Sequence, residues 1–342
     1  MVTLALASLV IVVVLLGPVF VGAIERNVEV FFLVVGMLTA LMMGQFNVAL
    51  IRGALSEPLG FTLAVLVFGA AFRLLRDYLD RLFRRVIEVM DPRLLCFFLA
   101  IGLGYLAAFI TPVVAALVFV EAISLLRCDR ASEIAATVFA CFAIGIGAGL
   151  TPLGMPGIAV VLRSLHADFW YLAHLLGPFI IVGVVLAAVP TLFFPFISSK
   201  PLDAVRDKDS WRLVLLVRPA RVYVFIAGLV ALSDGLRPLV DVYIHRIPNG
   251  LLFWMNTLSA VVNNSTLAAV EIGPSLNRSQ QRWALLGLLV SGGALVTGNI
   301  PNIVAASRLR ITAREWARIG LGTAAILLIL CFAVLSVMTG LG

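Results

Sequence analysis

The chain has 342 residues, 62% of them hydrophobic and 13% charged, with a formal net charge of +7, whereas ordinary soluble domains carry about 25% charged residues. No soluble fold hides this much apolar surface, so the expected class is an all-α polytopic membrane protein embedded in a lipid bilayer. The excess of 25 Lys and Arg over 18 Asp and Glu then reads as an orientation bias across the cell's inner (plasma) membrane, and nucleic acid is not an expected partner.

The N-terminal half is assigned to residues 1–197. Its first apolar run, about 4–21, has no Lys or Arg ahead of it and is long for a signal-peptide core, so it reads as a retained span. A second run, 28–50, offers Gly36 and Gly44 for close helix packing. Arg52 and Ser56-Glu57-Pro58 mark a turn, and a third run covers 59–75, so that residues 4–75 form the scaffold spans. Arg73, Arg76, Arg81, Arg84, Arg85 and Arg93 are interleaved with Leu74, Leu75, Tyr78, Leu79, Leu82 and Phe83 at helical spacing. That is the pattern of an amphipathic helix on the membrane surface, placed at 76–90.

Two interrupted apolar segments follow. Residues 94–126 are broken at Thr111-Pro112, and residues 134–162 are broken by the Gly- and Pro-rich run 145–157; a further span covers 171–197. The polar stretch 198–221 reads as a cytoplasmic linker. The C-terminal half, 222–342, has a span at 222–234, a segment 251–272 broken at Asn263-Asn264, a segment 284–306 broken between Gly292 and Asn302, and a last span at 320–341. In hydrocarbon each unpaired backbone group costs several kcal/mol, so broken chain at that depth persists only where it is buried in protein or lines a wet cavity.

The same order of features occurs twice. Met155-Pro156-Gly157-Ile158 parallels Ile300-Pro301-Asn302-Ile303, with Gly147 and Gly292 upstream and Arg163 and Arg308 downstream at matching distances. Weak internal symmetry of this kind is what transporter repeats leave in sequence. Charge indicates how the repeats are threaded. If 94–126 and 251–272 are re-entrant helical hairpins, 19 of the 25 basic residues fall on the side of the Arg73–Arg93 loop and the 198–221 linker; if both segments cross, the split is 14 to 11. The positive-inside bias favours hairpins, which also makes the repeats inverted, each with one hairpin and one discontinuous transmembrane helix.

The breaks supply the chemistry. Asn263, Asn264, Ser265 and Thr266 put amide and hydroxyl groups at the second hairpin tip, and Thr297, Gly298, Asn299 and Asn302 do so on the facing broken helix. Hard cations take oxygen ligands, and unwound carbonyls suit Na⁺ or H⁺ coupling, with Asn264, Ser265 and Asn299 as Na⁺ ligands. The first half offers Thr111 and Thr151, with fewer amides. The carboxyls of Glu271 and Glu121, a few turns beyond the two tips, are read as cation-attracting or proton-exchanging groups, Glu271 first, with snorkelling to a headgroup as the bland alternative. Capping of half-helices is the corresponding bland role for the amides. Four scattered cysteines without C-x-x-C and three histidines without H-E-x-x-H give no metal or redox motif, so neither a cofactor nor an enzyme is expected.

Asn263-Asn264-Ser265-Thr266-Leu267-Ala268-Ala269, Glu271-Ile272-Gly273-Pro274, Ser291-Gly292-Gly293 and Gly298-Asn299-Ile300-Pro301-Asn302-Ile303 together resemble a prokaryotic family of unknown function, domain-of-unknown-function family 1646, described as cation transporters. The repeat plan is similar to the wider ion transporter superfamily of sodium/proton antiporters, arsenite permeases and sodium/dicarboxylate carriers. That resemblance implies hairpins and broken helices moving against a scaffold that often forms a homodimer. Antiporter and arsenite-type members carry an Asp at the hairpin tip, where this chain has Thr111-Pro112 and Asn263-Asn264, so a tip-carboxylate mechanism is not expected. The resulting expectation is secondary active cation transport, Na⁺/H⁺ antiport by alternating access, with Na⁺-coupled symport of a small anion such as a dicarboxylate as the alternative.

Overall fold

The computed structural model describes residues 9–10, 12–14, 24, 27–126, 128–193, 212–260 and 264–339. Most of the first predicted span, most of the 198–221 linker, and Val261, Val262 and Asn263 lie outside them. The described chain is helical. Six of its helices are long and apolar enough to cross a membrane: Val48–Leu75, Pro92–Ile110, Arg130–Leu150, Tyr171–Leu192, Leu215–Pro238 and Ala313–Thr339.

Three helices form a frame: α1 (Val28–Met42), α2 (Val48–Val89) and α8 (Arg218–Tyr243). Small residues allow their backbones to touch. A Cβ on Gly36 would lie 2.4 Å from the Gly228 carbonyl oxygen, one on Gly228 would lie 2.5 Å from Leu33 N, and one on Gly235 would lie 2.8 Å from Ala40 N. Without a hydrophobic drive between helices in lipid, such close packing is what holds them together. Gly228→Val meets backbone on α1 and forces the helices apart. Overpacking of this kind costs about 1–3 kcal/mol, so the variant should show a lower thermal midpoint in detergent, whereas an unchanged midpoint would contradict the close α1–α8 contact.

The frame differs from its sequence reading in three ways. The second span ends at Met42 and not near residue 50, because the chain turns at Gly44, whose φ of +68° suits glycine; Gly44 therefore serves the turn and has no packing neighbour within 4 Å. Arg52 and Ser56-Glu57-Pro58 do not form a turn but lie inside α2: Ser56 Oγ bonds the Arg52 carbonyl at 2.8 Å and Pro58 is buried. Finally, 76–90 is not a separate helix. The chain stays helical from Val48 to Val89, 42 residues or about 63 Å, twice the bilayer core of about 30 Å. Likewise the predicted 222–234 span extends through Pro238 to Tyr243.

The remaining helices form a second body with its own continuous apolar core. They are α3 (Pro92–Ile110), α4 (Pro112–Leu125), α5 (Arg130–Gly147), α6 (Pro156–Leu165), α7 (Tyr171–Ala188), α9 (Asn249–Met255), α10 (Asn264–Glu271), α11 (Arg278–Ser291), α12 (Ile300–Leu309) and α13 (Ala313–Thr339). Side-chain caps set several starts: Asp91 accepts from Arg93 N, Asp129 from Ser132 N, and Asn277 with Gln280 forms a capping box on α11. The two halves pack in the same pattern. The pair α3–α5 corresponds to α9–α11, α5–α7 to α11–α13, and α4–α5 to α10–α11. Across the halves, α4 packs on α12 as α10 packs on α6. The helices α6 and α12 are each ten residues long, start with Pro in the first turn, and end at a left-handed residue, His166 (φ 50°) and Arg310 (φ 53°). Both predicted interruptions are real breaks: α5 gives way to a 3-10 turn at Ala148–Leu150 and irregular chain before α6, and α11 stops at Ser291 before α12.

Candidate functional site

Helices α3 and α4 are separated by Thr111 alone and pack against each other. The second predicted tip, Asn263-Asn264, is described only from Asn264 onward. In the second half, Asn256 Nδ2 on the incoming arm donates to Glu271 Oε1 on the outgoing arm at 2.9 Å.

The irregular loops of both halves meet in the middle of the second body. A Cβ on Gly292 would lie 2.2 Å from Asn264 Nδ2, which puts the second tip against the end of α11. Gly298 presses on the carbonyl oxygens of Gly292, Ala260 and Ser259. Contacts cross between halves here: Gly145 faces Asn299 Nδ2, Gly157 faces the backbone of Ser265, Gly149 faces Leu289, Gly293 faces Phe142, and Cys141 Sγ lies 3.7 Å from the Pro301 carbonyl oxygen. The loops also match internally, since Gly154 abuts the Ala148 carbonyl as Gly298 abuts that of Gly292. Glycine is required at these points because any side chain would separate the elements.

At this meeting place the amides and hydroxyls are buried, and several have nothing to bond. Asn264 and Asn302 have no exposed surface, Thr266 is 1% exposed and Asn299 is 4% exposed. Among the described residues, both amide atoms of Asn264, the Thr266 hydroxyl, Asn299 Nδ2 and Asn302 Oδ1 lack a hydrogen-bond partner. The other atoms of these side chains hold the loop together. Asn299 Oδ1 accepts from Ile300 N at 2.9 Å and so caps α12, while Asn302 Nδ2 donates to the carbonyls of Gly292 and Leu295, both at 2.8 Å. In the first half Thr111 is fully buried with an unpartnered hydroxyl and a φ of 72°, strained for a β-branched residue. Thr151 is also fully buried but spends its hydroxyl on the Ala108 carbonyl.

Some predicted residues lie off this cluster. Asn263 is outside the described residues. Ser265 is buried with its backbone facing Gly157. Thr297 is exposed, its hydroxyl donating to the Ala260 carbonyl at 3.2 Å. Glu121 is half-buried, nine residues along α4 from Pro112, about 13 Å away. Glu271 is half-buried and held by Asn256.

Sequence reading missed the polar chain behind Glu271. Asn256, 2% exposed, accepts on its carbonyl from Ser291 Oγ at 3.1 Å, and Ser291 Oγ lies 2.6 Å from Ser259 Oγ. The chain therefore runs from Glu271 to the last residue of α11, beside Gly292. A polar Asn and Ser inside the apolar run 251–260 were its only sequence mark.

Apolar helices long enough to span, wrapped around buried broken loops, define a helical, multi-pass membrane protein. The sequence pattern of the proteins of unknown function DUF1646 matches residues 3–338, and the chain belongs to that family. No curated protein matches it.

Proposed function

We propose that the chain is a secondary active cation transporter that exchanges Na⁺ for H⁺ by alternating access. The observation that carries this is the set of polar atoms on Asn264, Asn299 and Asn302, buried and without partners among the described residues, where Asn264 packs on Gly292, Asn302 bonds the Gly292 carbonyl and Asn299 lies against Gly145 of the other half, with a further unpartnered hydroxyl on Thr266, in the same helix as Asn264. Leaving one buried polar group unpaired costs about 1–3 kcal/mol, and a cluster of them is stable when a ligand completes it. The side-chain oxygens of Asn264, Thr266 and Asn302 and the carbonyl ends of α5 and α11 are the ligands a hard cation takes. In this proposal the matched packing of the halves reflects inverted repeats, and the segments 94–126 and 251–272 are re-entrant hairpins. The long basic end of α2 faces the cytoplasm and a second copy completes a homodimer. Glu271 is the group that exchanges protons.

A cation site predicts selective stabilisation. Purified protein in detergent should gain thermal midpoint with Na⁺ over equimolar K⁺ and Li⁺, in a saturable manner. Equal response to all three ions, or none, would contradict a Na⁺ site.

One observation favours a second role for the same place. Asn264 Nδ2 and Asn299 Nδ2 are donors, which a bare cation cannot satisfy, and α4, α6, α10 and α12 all begin at the tips or breaks, bringing positive dipole ends. A small carboxylate carried together with Na⁺ fits those donors. Na⁺-dependent uptake of labelled dicarboxylate into proteoliposomes would favour symport, and its absence alongside Na⁺-driven proton movement would favour antiport.

A further inference from the structure

Away from the buried amides, a group of partly buried charges sits between the two bodies. The frame has its own apolar core, built mainly from α1, α2 and α8, and among the described residues the second body enters it through Val160 of α6 and Ala269 and Val270 of α10. Polar links cross this boundary. Ser233 Oγ of α8 donates to the Ala269 carbonyl at 2.6 Å. Arg163, in the last turn of α6, reaches Asp234 of α8 at 3.1 Å and Glu57 of α2 at 3.5 Å. Gly53 makes room for it, since a Cβ there would lie 2.5 Å from Arg163 Nη2.

Two features distinguish this cluster from a fixed brace. Arg163 is one end of a ten-residue helix whose other end, at Gly157, touches Ser265 beside the buried cluster. A rearrangement there is carried rigidly to the arginine. Asp234 also has a second cation within its surroundings: with Gln45, Asn47 and Arg237 it lines a cavity of about 330 Å³, and among the described residues Arg237 bonds the Ser233 hydroxyl at 3.4 Å. The three charged side chains keep 20–32% of their surface exposed, so water screens the pair and its rupture is not prohibitive.

We propose that Arg163 is a detachable clasp between the two bodies, and that when they separate Asp234 passes from Arg163 to Arg237. This rests on the alternating-access reading but not on the identity of the ion. Asp234 then has a cationic partner in both arrangements, as a two-state element requires.

The test is a distance distribution measured by pulsed electron paramagnetic resonance on full-length protein in nanodiscs without added substrate. Spin labels are placed on unnatural amino acids at exposed positions, Val48 in the frame and Asp168 just beyond α6. Wild type should give one dominant distance. Arg163→Gln should raise a second population about two- to fivefold, the most an ion pair of this exposure can shift, and Arg237→Gln should lower it. Gly53→Ala, which displaces the guanidinium but keeps every charge, should act like Arg163→Gln. Distributions indistinguishable from wild type in Arg163→Gln and Gly53→Ala would overturn the clasp, as would loss of folding in both, which would mark Arg163 as a brace. Failure of the Na⁺ thermal shift would instead sink the ion site and leave this result standing.

Discussion

Asn264→Ala should abolish Na⁺-induced stabilisation and Na⁺-dependent flux, at least a hundredfold, without lowering the thermal midpoint of the empty protein. The two halves of that expectation have one cause. Asn264 has no exposed surface, and neither atom of its amide has a partner. In the empty protein the amide is a liability of about 1–3 kcal/mol, which roughly offsets the packing lost with its removal. In the loaded protein the same amide is a ligand with no substitute, because the facing position is Gly292 and contributes no side chain. A structural amide would behave in the opposite way, with a depressed midpoint and an intact ion response. Thermal unfolding of wild type and variant, with and without Na⁺, separates the two.

Glu271→Gln should leave folding and Na⁺ binding in place and remove proton movement. Glutamine keeps an Oε1 to accept from Asn256 Nδ2, now at 2.9 Å, so the link between Asn256 and α10 survives. What disappears is the ability to gain and lose a proton. In proteoliposomes loaded with a pH-sensitive dye, an imposed Na⁺ gradient should acidify or alkalinise the lumen with wild type, and should do so at a rate lower by a factor of a hundred or more with the variant. Wild-type proton flux in Glu271→Gln would move the exchanging group elsewhere, with Glu121 next to be examined.

The breaks were legible in sequence because they contradict their surroundings. Gly, Pro and Asn inside apolar runs at 145–157 and 292–302 have no purpose in a continuous spanning helix, and the chain does leave the helix at both places. The cluster at Asn264, Thr266, Asn299 and Asn302 followed from the same contradiction. Local composition misled where a polar residue answers a distant one. Arg52 to Pro58 resembles a turn, yet Glu57 stays in α2 because its partner Arg163 lies on another helix. Asp234 closes the predicted 222–234 span, yet it is interior to α8 and bound to the same arginine. The link from Asn256 to Glu271 spans fifteen residues and a turn, so no periodicity within one helix reveals it. Thr297, grouped with its neighbours by sequence, is exposed on the 3-10 turn Val296–Gly298, whereas Gly298 in the same turn is buried. Sequence shows where a chain cannot remain regular in lipid; which side chains then meet depends on contacts between elements.

The central claim is that the oxygens freed where the helices break enclose a monovalent cation. It is tested most directly by locating such an ion. Crystals of the protein grown in Na⁺ and exchanged into thallium(I), a strong anomalous scatterer, should give their highest anomalous peak between Asn264, Thr266 and Asn302, reduced when excess Na⁺ is restored. A map with no peak there, or with its strongest peak unaffected by Na⁺ and remote from those three residues, would contradict the account.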